Sequence, residues 1–237
     1  MNNLSIVIPA FNEAESLPEL LNSLSKICKK NVEVILVDNG SNDNTSTVAN
    51  SLAKKFRFLR VVSLQKNQGY GGGILAGLRT ATGTHLAWTH ADLQTDLNDV
   101  VAAWQEAQNS DNDLVFVKGV RKKRGLLPSF LSLFMQIVAS TVLNIKLKEI
   151  NAQPKLFSRQ LYQRITSQKP PVDFSLDLFF YVKAIQLEAE IIEIPVYFSK
   201  RKHGVAKGGG SGLLSVVKIS LRAINYIFNL KKTIVLK

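Results

Sequence analysis

His90-Ala91-Asp92-Leu93-Gln94 brings an imidazole, a carboxylate and an amide together directly after the apolar run Leu86-Ala87-Trp88. Such a run reads as a buried strand, so the three polar groups stand where it gives out into a loop. In an open α/β sheet, ligands bind at the carboxyl ends of the strands, where the loops diverge. Asp92 and Gln94 lie two apart and can turn toward one hard cation with His90 beside them, an arrangement suited to a metal-bound diphosphate. The same residues also fit a strand cap whose polar side chains only close a turn.

Three further segments carry candidate chemistry. Ile8-Pro9-Ala10-Phe11-Asn12-Glu13 ends a strand in a proline turn with an aromatic and an acid. A base fits between Pro9 and Phe11 while Glu13 meets its edge or caps the next helix. In Val37-Asp38-Asn39-Gly40-Ser41-Asn42-Asp43-Asn44-Thr45, Asp38 is the first polar group past an apolar strand, placed to meet a ribose or base. Asp43 reads as a helix cap. Arg201-Lys202-His203-Gly204-Val205-Ala206-Lys207 sets cations around a glycine, so Arg201 and Lys207 can close over a diphosphate or form a solvated charge run. Gly71, Gly73 and Ala76 match G-x-G-x-x-A, but a dinucleotide fingerprint belongs at the first βα turn, and this is the third. Glycines that let a helix start approach a ligand or a strand explain it as well.

The elements that must position these groups alternate. Strands are expected at Ser5 to Pro9, Val32 to Val37, Leu59 to Leu64, His85 to Trp88 and Leu114 to Lys118. Helices are expected at Asn12 to Ile27, Thr45 to Phe56, Gly72 to Thr80 and Asp99 to Gln108. That rhythm implies a mainly parallel sheet with right-handed crossovers. Gly125 to Ile145 holds no charge, long enough to raise a membrane span. Ser129, Ser132, Gln136, Ser140 and Asn144 nevertheless draw a polar stripe down it, which fits an interfacial helix or a core helix. The tail sets Ser215, Lys218, Arg222, Asn225 and Asn229 against Leu214, Val217, Leu221, Ile224 and Phe228, and its mid-segment charges make spanning a bilayer costly.

Composition narrows the partners. Thirty Lys and Arg against 18 Asp and Glu give a formal charge of +12, which points to anionic partners. The cations lie beside apolar stretches, with no basic recognition helix or RNA-binding aromatic motif. Phosphates and an anionic membrane surface are favoured and nucleic acid is not. The single Cys28 cannot form an internal bridge, and the N-terminus shows no signal-peptide pattern, so a cytoplasmic chain is expected.

Taken together, IVIPAFNE, VILVDNGSNDNT, NQGYGGG, HADLQ and EIPVYFSKRKHGVAK occur in an order that resembles the family 2 glycosyltransferases of the GT-A fold. The resemblance is to the dolichyl-phosphate-mannose-synthase-like, or polyprenyl-phosphate glycosyltransferase, branch, and it covers Leu4 to about Lys207. It implies an α/β fold whose mixed, mainly parallel sheet is sandwiched by helices. Residues 1–210 would form the catalytic domain, with an acceptor-side helix at 125–147 and a C-terminal amphipathic helix at 211–237. Pro9, Phe11, Glu13 and Asp38 match the family's base and ribose pocket, Ala91 and Asp92 its nucleotide and metal site, and Gln94 a second metal contact. Arg201 and Lys207 match the diphosphate cations, Arg121 (or Lys118) a basic residue after the next strand, and Asp177 an acid near the acceptor.

The activity so implied is inverting sugar transfer from a UDP- or GDP-sugar to polyprenyl phosphate or a growing glycan at the inner membrane face, with Mg²⁺ or Mn²⁺. A homo-oligomer or a membrane-protein partner is left open. His90 and Asn39 stand where the family usually has Asp, which weakens the expected metal site, although imidazole can ligate Mn²⁺. A non-catalytic, nucleotide-binding partner of a membrane enzyme is the alternative.

Overall fold

A computed structural model of the chain describes residues 3–28, 30–122, 126–199 and 213–235. Its seven strands are β1 (Leu4–Ala10), β2 (Val32–Asp38), β3 (Leu59–Ser63), β4 (His85–Trp88), β5 (Val115–Arg121), β6 (Lys155–Ser158) and β7 (Glu190–Val196). They form one sheet in the order β3-β2-β1-β4-β6-β5-β7. Only the short β6 runs against its neighbours β4 and β5; the other pairs are parallel. The mixed, mainly parallel sheet expected from the sequence is therefore present.

Successive strand residues face opposite sides, and both sides here are buried. Val7, Ile35, Val37, Trp88 and Phe116 join one core with helices α3 (Gly69–Thr80), α6 (Arg159–Ile165) and α7 (Leu176–Gln186). Ile6, Ile8, Val34 and Leu36 join another under α1 (Leu17–Ile27), α2 (Thr45–Lys55) and α4 (Asn98–Gln108). Fully burying each such side chain stabilises the fold by about 1.5–3 kcal/mol.

Two helix starts differ from the sequence reading, and both shape the ligand edge. α1 begins at Leu17 rather than Asn12, with Pro18 in its first turn, where a missing N–H costs nothing. Residues 11–16 instead form a turn in which Asn12 adopts a φ of 55°. α3 begins earlier than Gly72, and its glycines set how closely it approaches the sheet. A Cβ on Gly77 would lie 2.4 Å from Val7 Cγ1 and 2.9 Å from Val37 Cγ2.

On α5 (Leu126–Leu143), Ala139 and Leu143 are buried, and of the polar stripe Gln136 and Ser140 are half-buried while Asn144, just past the helix, is exposed. Gln136 Oε1 accepts from Glu149 N at 3.0 Å and Ser140 Oγ from Leu147 N at 3.1 Å, fastening the loop that follows. Leu133, Phe134 and Ile137 are left about half exposed. α8 (Leu213–Val235) packs on α5, and the described members of its polar stripe, Arg222, Asn225 and Asn229, are exposed as expected. Ile227 and Leu230 are buried, whereas Leu221 and Phe228 are exposed. Among the described residues no helix is long and apolar enough to cross a membrane.

Candidate active site

The carboxyl ends of β1, β2 and β4 open onto a cavity of about 460 Å³. A larger, shallower cleft of about 700 Å³ lies at the opposite edge, among the amino ends of β1, β2 and β3. The first holds the candidate chemistry: Pro9, Phe11, Glu13, His90, Ala91, Asp92 and Gln94 all line it.

Backbone-directed bonds hold the β1 and β2 loops together. Asn12 N donates to Ser41 Oγ (3.0 Å), Glu13 N to Thr45 Oγ1 (2.8 Å) and Asn42 N to Asn12 Oδ1 (2.8 Å). Glu13 also accepts from the Ser16 hydroxyl at 3.0 Å, so it closes its own turn while lining the cavity. Asp43 Oδ1 accepts from Thr45 N at 2.9 Å from one residue before the helix cap, which is Asn44 rather than Asp43.

Asp38 is not on the cavity wall. It is 4% exposed, and its Oδ1 takes Ser41 N at 3.0 Å. Its neighbour Asn39 lines the cavity instead. The Asn39 amide donates to Gly69 O at 2.9 Å and accepts from Gln68 N at 3.0 Å, joining β2 to the start of α3. An aspartate could not donate the first of these bonds. A Cβ on Gly73 would come within 2.9 Å of Asn39 Nδ2, so the glycine run serves close approach to this joint.

After β4, Thr89 Oγ1 meets Thr95 Oγ1 at 3.0 Å and closes the loop carrying His90 to Gln94. Asp92 Oδ1 accepts from Gln94 N at 3.1 Å, and Leu93 is held at a φ of 57°, a conformation rare for a branched residue. Gln94 O accepts from Ser199 N at 2.8 Å, and Gln94 Nε2 donates to Ser199 O at 3.2 Å. The chain thus reaches Ser199 against the Asp92 loop. Arg201 and Lys207, the expected diphosphate cations, lie outside the described residues.

Burial lowers the His90 imidazole pKa, opposed by the Asp92 and Asp177 carboxylates. A neutral imidazole is the form that ligates metal. Among the described residues no group of three or more His, Cys, Asp or Glu could hold a metal ion. One carboxylate and one imidazole fit a cation shared with a ligand's diphosphate oxygens, not one enclosed by protein alone.

Two other expected residues are engaged elsewhere. Arg121 Nε pairs with Glu149 at 2.8 Å, with its guanidinium over the Phe198 ring, and Lys118, the alternative, is fully buried against Glu193 at 3.2 Å. Asp177, expected beside the acceptor as a base, is 2% exposed and is not on the cavity wall. Gln153 Nε2 donates to it at 2.9 Å, and Lys155 Nζ stands 3.6 Å away.

Sequence reasoning passed over Tyr70, Phe174 and Arg222, all on the wall. The Tyr70 ring stacks on Phe174 at 4.9 Å and tilts toward His90 at 6.0 Å, while its hydroxyl accepts from Gln153. Burial, and then the Asp177 carboxylate, push the Tyr70 phenol pKa well up. An aromatic next to a glycine run was the available signal for Tyr70. For Arg222, 132 residues beyond His90, there was none.

Residues 5–169 match the family model described as Glycosyl transferase family 2. Over 222 residues the chain is 28% identical to the dodecaprenyl-phosphate galacturonate synthase of Rhizobium johnstonii, covering 90% of this chain and 64% of that protein. Against the dolichyl-phosphate beta-glucosyltransferase of Dictyostelium discoideum it is 27% identical over 217 residues, covering 83% of this chain and 66% of the relative. The chain therefore spans just under two thirds of these relatives' length.

Among solved structures, the glucosyl-3-phosphoglycerate synthase of Mycobacterium tuberculosis, in complex with Mn²⁺, UDP-glucose and phosphoglyceric acid, superposes with a TM-score of 0.75. It is 17% identical, with 98% of this chain and 80% of that one covered. The mannosyltransferase PcManGT of Pyrobaculum calidifontis, in complex with GDP-Man and Mn²⁺, gives 0.63 at 18% identity, covering 98% and 73%. The shared fold is GT-A.

Proposed function

The chain belongs to glycosyltransferase family 2, and on that premise we propose that it transfers a sugar from a nucleotide diphosphate sugar to a lipid-linked phosphate at a membrane surface. The observation that carries this is the single cavity that gathers Pro9, Phe11 and Glu13 with His90, Asp92 and Gln94. An aromatic and an acid suit a base, and the second group suits a diphosphate. The relatives named for dodecaprenyl-phosphate and dolichyl-phosphate sugar transfer support the acceptor class.

In this reaction an acceptor phosphate oxygen forms a bond to the anomeric carbon as the bond from that carbon to the β-phosphate oxygen breaks. The nucleoside diphosphate leaves with the electron pair. A phosphate acceptor is already an anion, so no proton has to be removed, which suits a site where Asp177, the acid expected beside the acceptor, is buried and held by Lys155 and Gln153. Attack opposite the leaving group makes the transfer inverting. A divalent cation held by Asp92 and His90 would neutralise charge on the departing diphosphate. Arg201 and Lys207 would add cationic donors there.

Membrane placement is supported by the half-exposed Leu133, Phe134 and Ile137 on α5 and by the exposed cations Lys146 and Lys148 just beyond it. We place this surface on the inner face of the membrane.

A thermal-shift panel of UDP, GDP and their sugars, with and without Mn²⁺ or Mg²⁺, tests the reading, since a ligand of the native state raises its melting temperature. One nucleotide should stabilise wild type with metal and lose most of that metal-dependent increment in Asp92→Ala. No shift from any nucleotide would sink the donor assignment. Binding without transfer to any isoprenyl phosphate would instead make the chain a non-catalytic partner.

A further inference from the structure

The cavity has a second end that the donor does not account for. From His90, ring contacts of 6.0 Å to Tyr70 and 4.9 Å on to Phe174 run along the cavity wall, away from the residues given above to the donor. There the wall is made by Asp173, Phe174 and Arg222. Arg222 comes from α8, a helix outside the span matched by the family model.

Packing fixes where that helix lies. Ile227 and Leu230 are buried in the core shared with α5 and α7, and the Tyr226 phenol pKa is raised by burial and by the Asp173 carboxylate. Arg222 itself is exposed, and no hydrogen bond or ion pair engages it among the described residues. A guanidinium facing a cavity in this way is a fork of donors matched to phosphate oxygens.

Next to it lies a surface of the opposite character. Leu221 and Phe228, seven residues apart and so on one stripe of the helix, are 57% and 51% exposed, and Phe174 at the cavity mouth is 42% exposed. Soluble surfaces rarely gather large apolar side chains beside a binding site without use for them. A cation at the mouth with an apolar stripe beyond it is complementary to a phosphate monoester carrying a hydrocarbon chain.

We propose that Arg222 receives the phosphate of the acceptor, while Phe174 and the Leu221–Phe228 stripe take the first part of its hydrocarbon chain. This rests on the donor reading above, because it assigns the end of the cavity that the donor leaves open. The C-terminal helix then completes the site, and Arg222 with its stripe separates a lipid phosphate from a soluble one.

The test is isothermal titration with farnesyl phosphate, glycerol phosphate and the stabilising nucleotide, on wild type, Arg222→Gln and Arg57→Gln. Arg57 lines the cleft at the opposite edge and controls for net charge. Arg222→Gln should weaken farnesyl phosphate by roughly tenfold or more, the worth of a charge-assisted bond, and leave the nucleotide within about twofold. Arg57→Gln should change neither.

Equal affinity of wild type and Arg222→Gln for farnesyl phosphate would overturn the assignment, as would a matching loss of nucleotide, which would give Arg222 to the donor. Glycerol phosphate bound as tightly as farnesyl phosphate would overturn the apolar half. If no nucleotide binds wild type, the donor reading fails by itself, and the farnesyl phosphate arm still reports on Arg222.

Discussion

Lys155 Nζ stands 3.6 Å from Asp177 Oδ1, and both side chains are sealed from solvent beneath the cavity floor. Burial lowers the Lys155 ammonium pKa to about 8 against the pull of Asp177, and the ammonium also donates to Ala152 O. Gln153 carries the pair upward, donating to Asp177 at 2.9 Å and to the Tyr70 hydroxyl at 3.0 Å. The Tyr70 side of the cavity wall therefore rests on a buried ionic joint.

Removing one partner of such a pair strands the other charge. Lys155→Met should lower unfolding stability by about 3–5 kcal/mol, whereas Lys155→Met combined with Asp177→Leu should recover much of it. Urea denaturation of the two single variants and the double completes the cycle. Additive losses would mean that the pair is not coupled.

Asn39 joins two loops as a donor and an acceptor at once. Asn39→Asp keeps the acceptor for Gln68 N and loses the bond to Gly69 O, placing a carboxylate against a carbonyl. A destabilisation of about 1–3 kcal/mol is expected, visible as a lower urea midpoint. An unchanged midpoint would show that α3 is held by its glycine contacts alone.

His90→Asp should strengthen the cation site. A carboxylate adds charge and a hard oxygen where a neutral imidazole stands, which favours Mg²⁺ more than Mn²⁺. The Mg²⁺ concentration giving half of the nucleotide-dependent thermal shift should fall by about tenfold, a change of ~1.4 kcal/mol. Without metal, two facing carboxylates should lower the melting temperature. A metal requirement equal to wild type would place the cation away from residue 90.

Asp99, in the first turn of α4, has a buried Oδ2 without a hydrogen-bond partner among the described residues, and burial, then Asp96, raise its pKa to about 6. Unfolded, it should titrate near ~3.9. Between those values the folded chain keeps a proton that the unfolded chain has released, so stability falls as pH rises through that window. Asp99→Asn should melt higher than wild type by roughly 2 °C above pH ~7, with the gap closing below pH ~4. A gap independent of pH would point to packing instead.

Much of this was legible in the chain because local signals and tertiary demands agree. Buried parallel strands read as apolar runs, and His90, Asp92 and Gln94 follow from the strand that ends at Trp88. The misreadings have distinct causes. Asp38 is the last residue of β2 and turns its carboxylate to Ser41 N, so the next residue, Asn39, reaches the cavity. Periodicity found amphipathic helices at α5 and α8, but not that Gln136 and Ser140 of α5 bond backbone groups of the loop that follows, nor that Leu221 and Phe228 of α8 stay exposed. Lys155, within the strand Lys155-Leu156-Phe157-Ser158, looks like any strand-edge lysine until Asp177 from a distant helix is seen to neutralise it.

The exposed apolar face of α5 is itself testable. Phe134 and Ile137 on α5 are 49% and 55% exposed, so replacing both with serine should change stability by less than about 1 kcal/mol. If the face enters a bilayer, each side chain stabilises the bound state by about 1.5–3 kcal/mol, and together they set a loss well beyond tenfold in vesicle affinity. Wild type should co-sediment with vesicles containing anionic lipid at low salt, and binding should weaken as salt screens the basic residues. The Phe134→Ser, Ile137→Ser variant should stay in the supernatant at every salt concentration. If it sediments as wild type does, charge alone holds the protein to the surface and α5 does not dock.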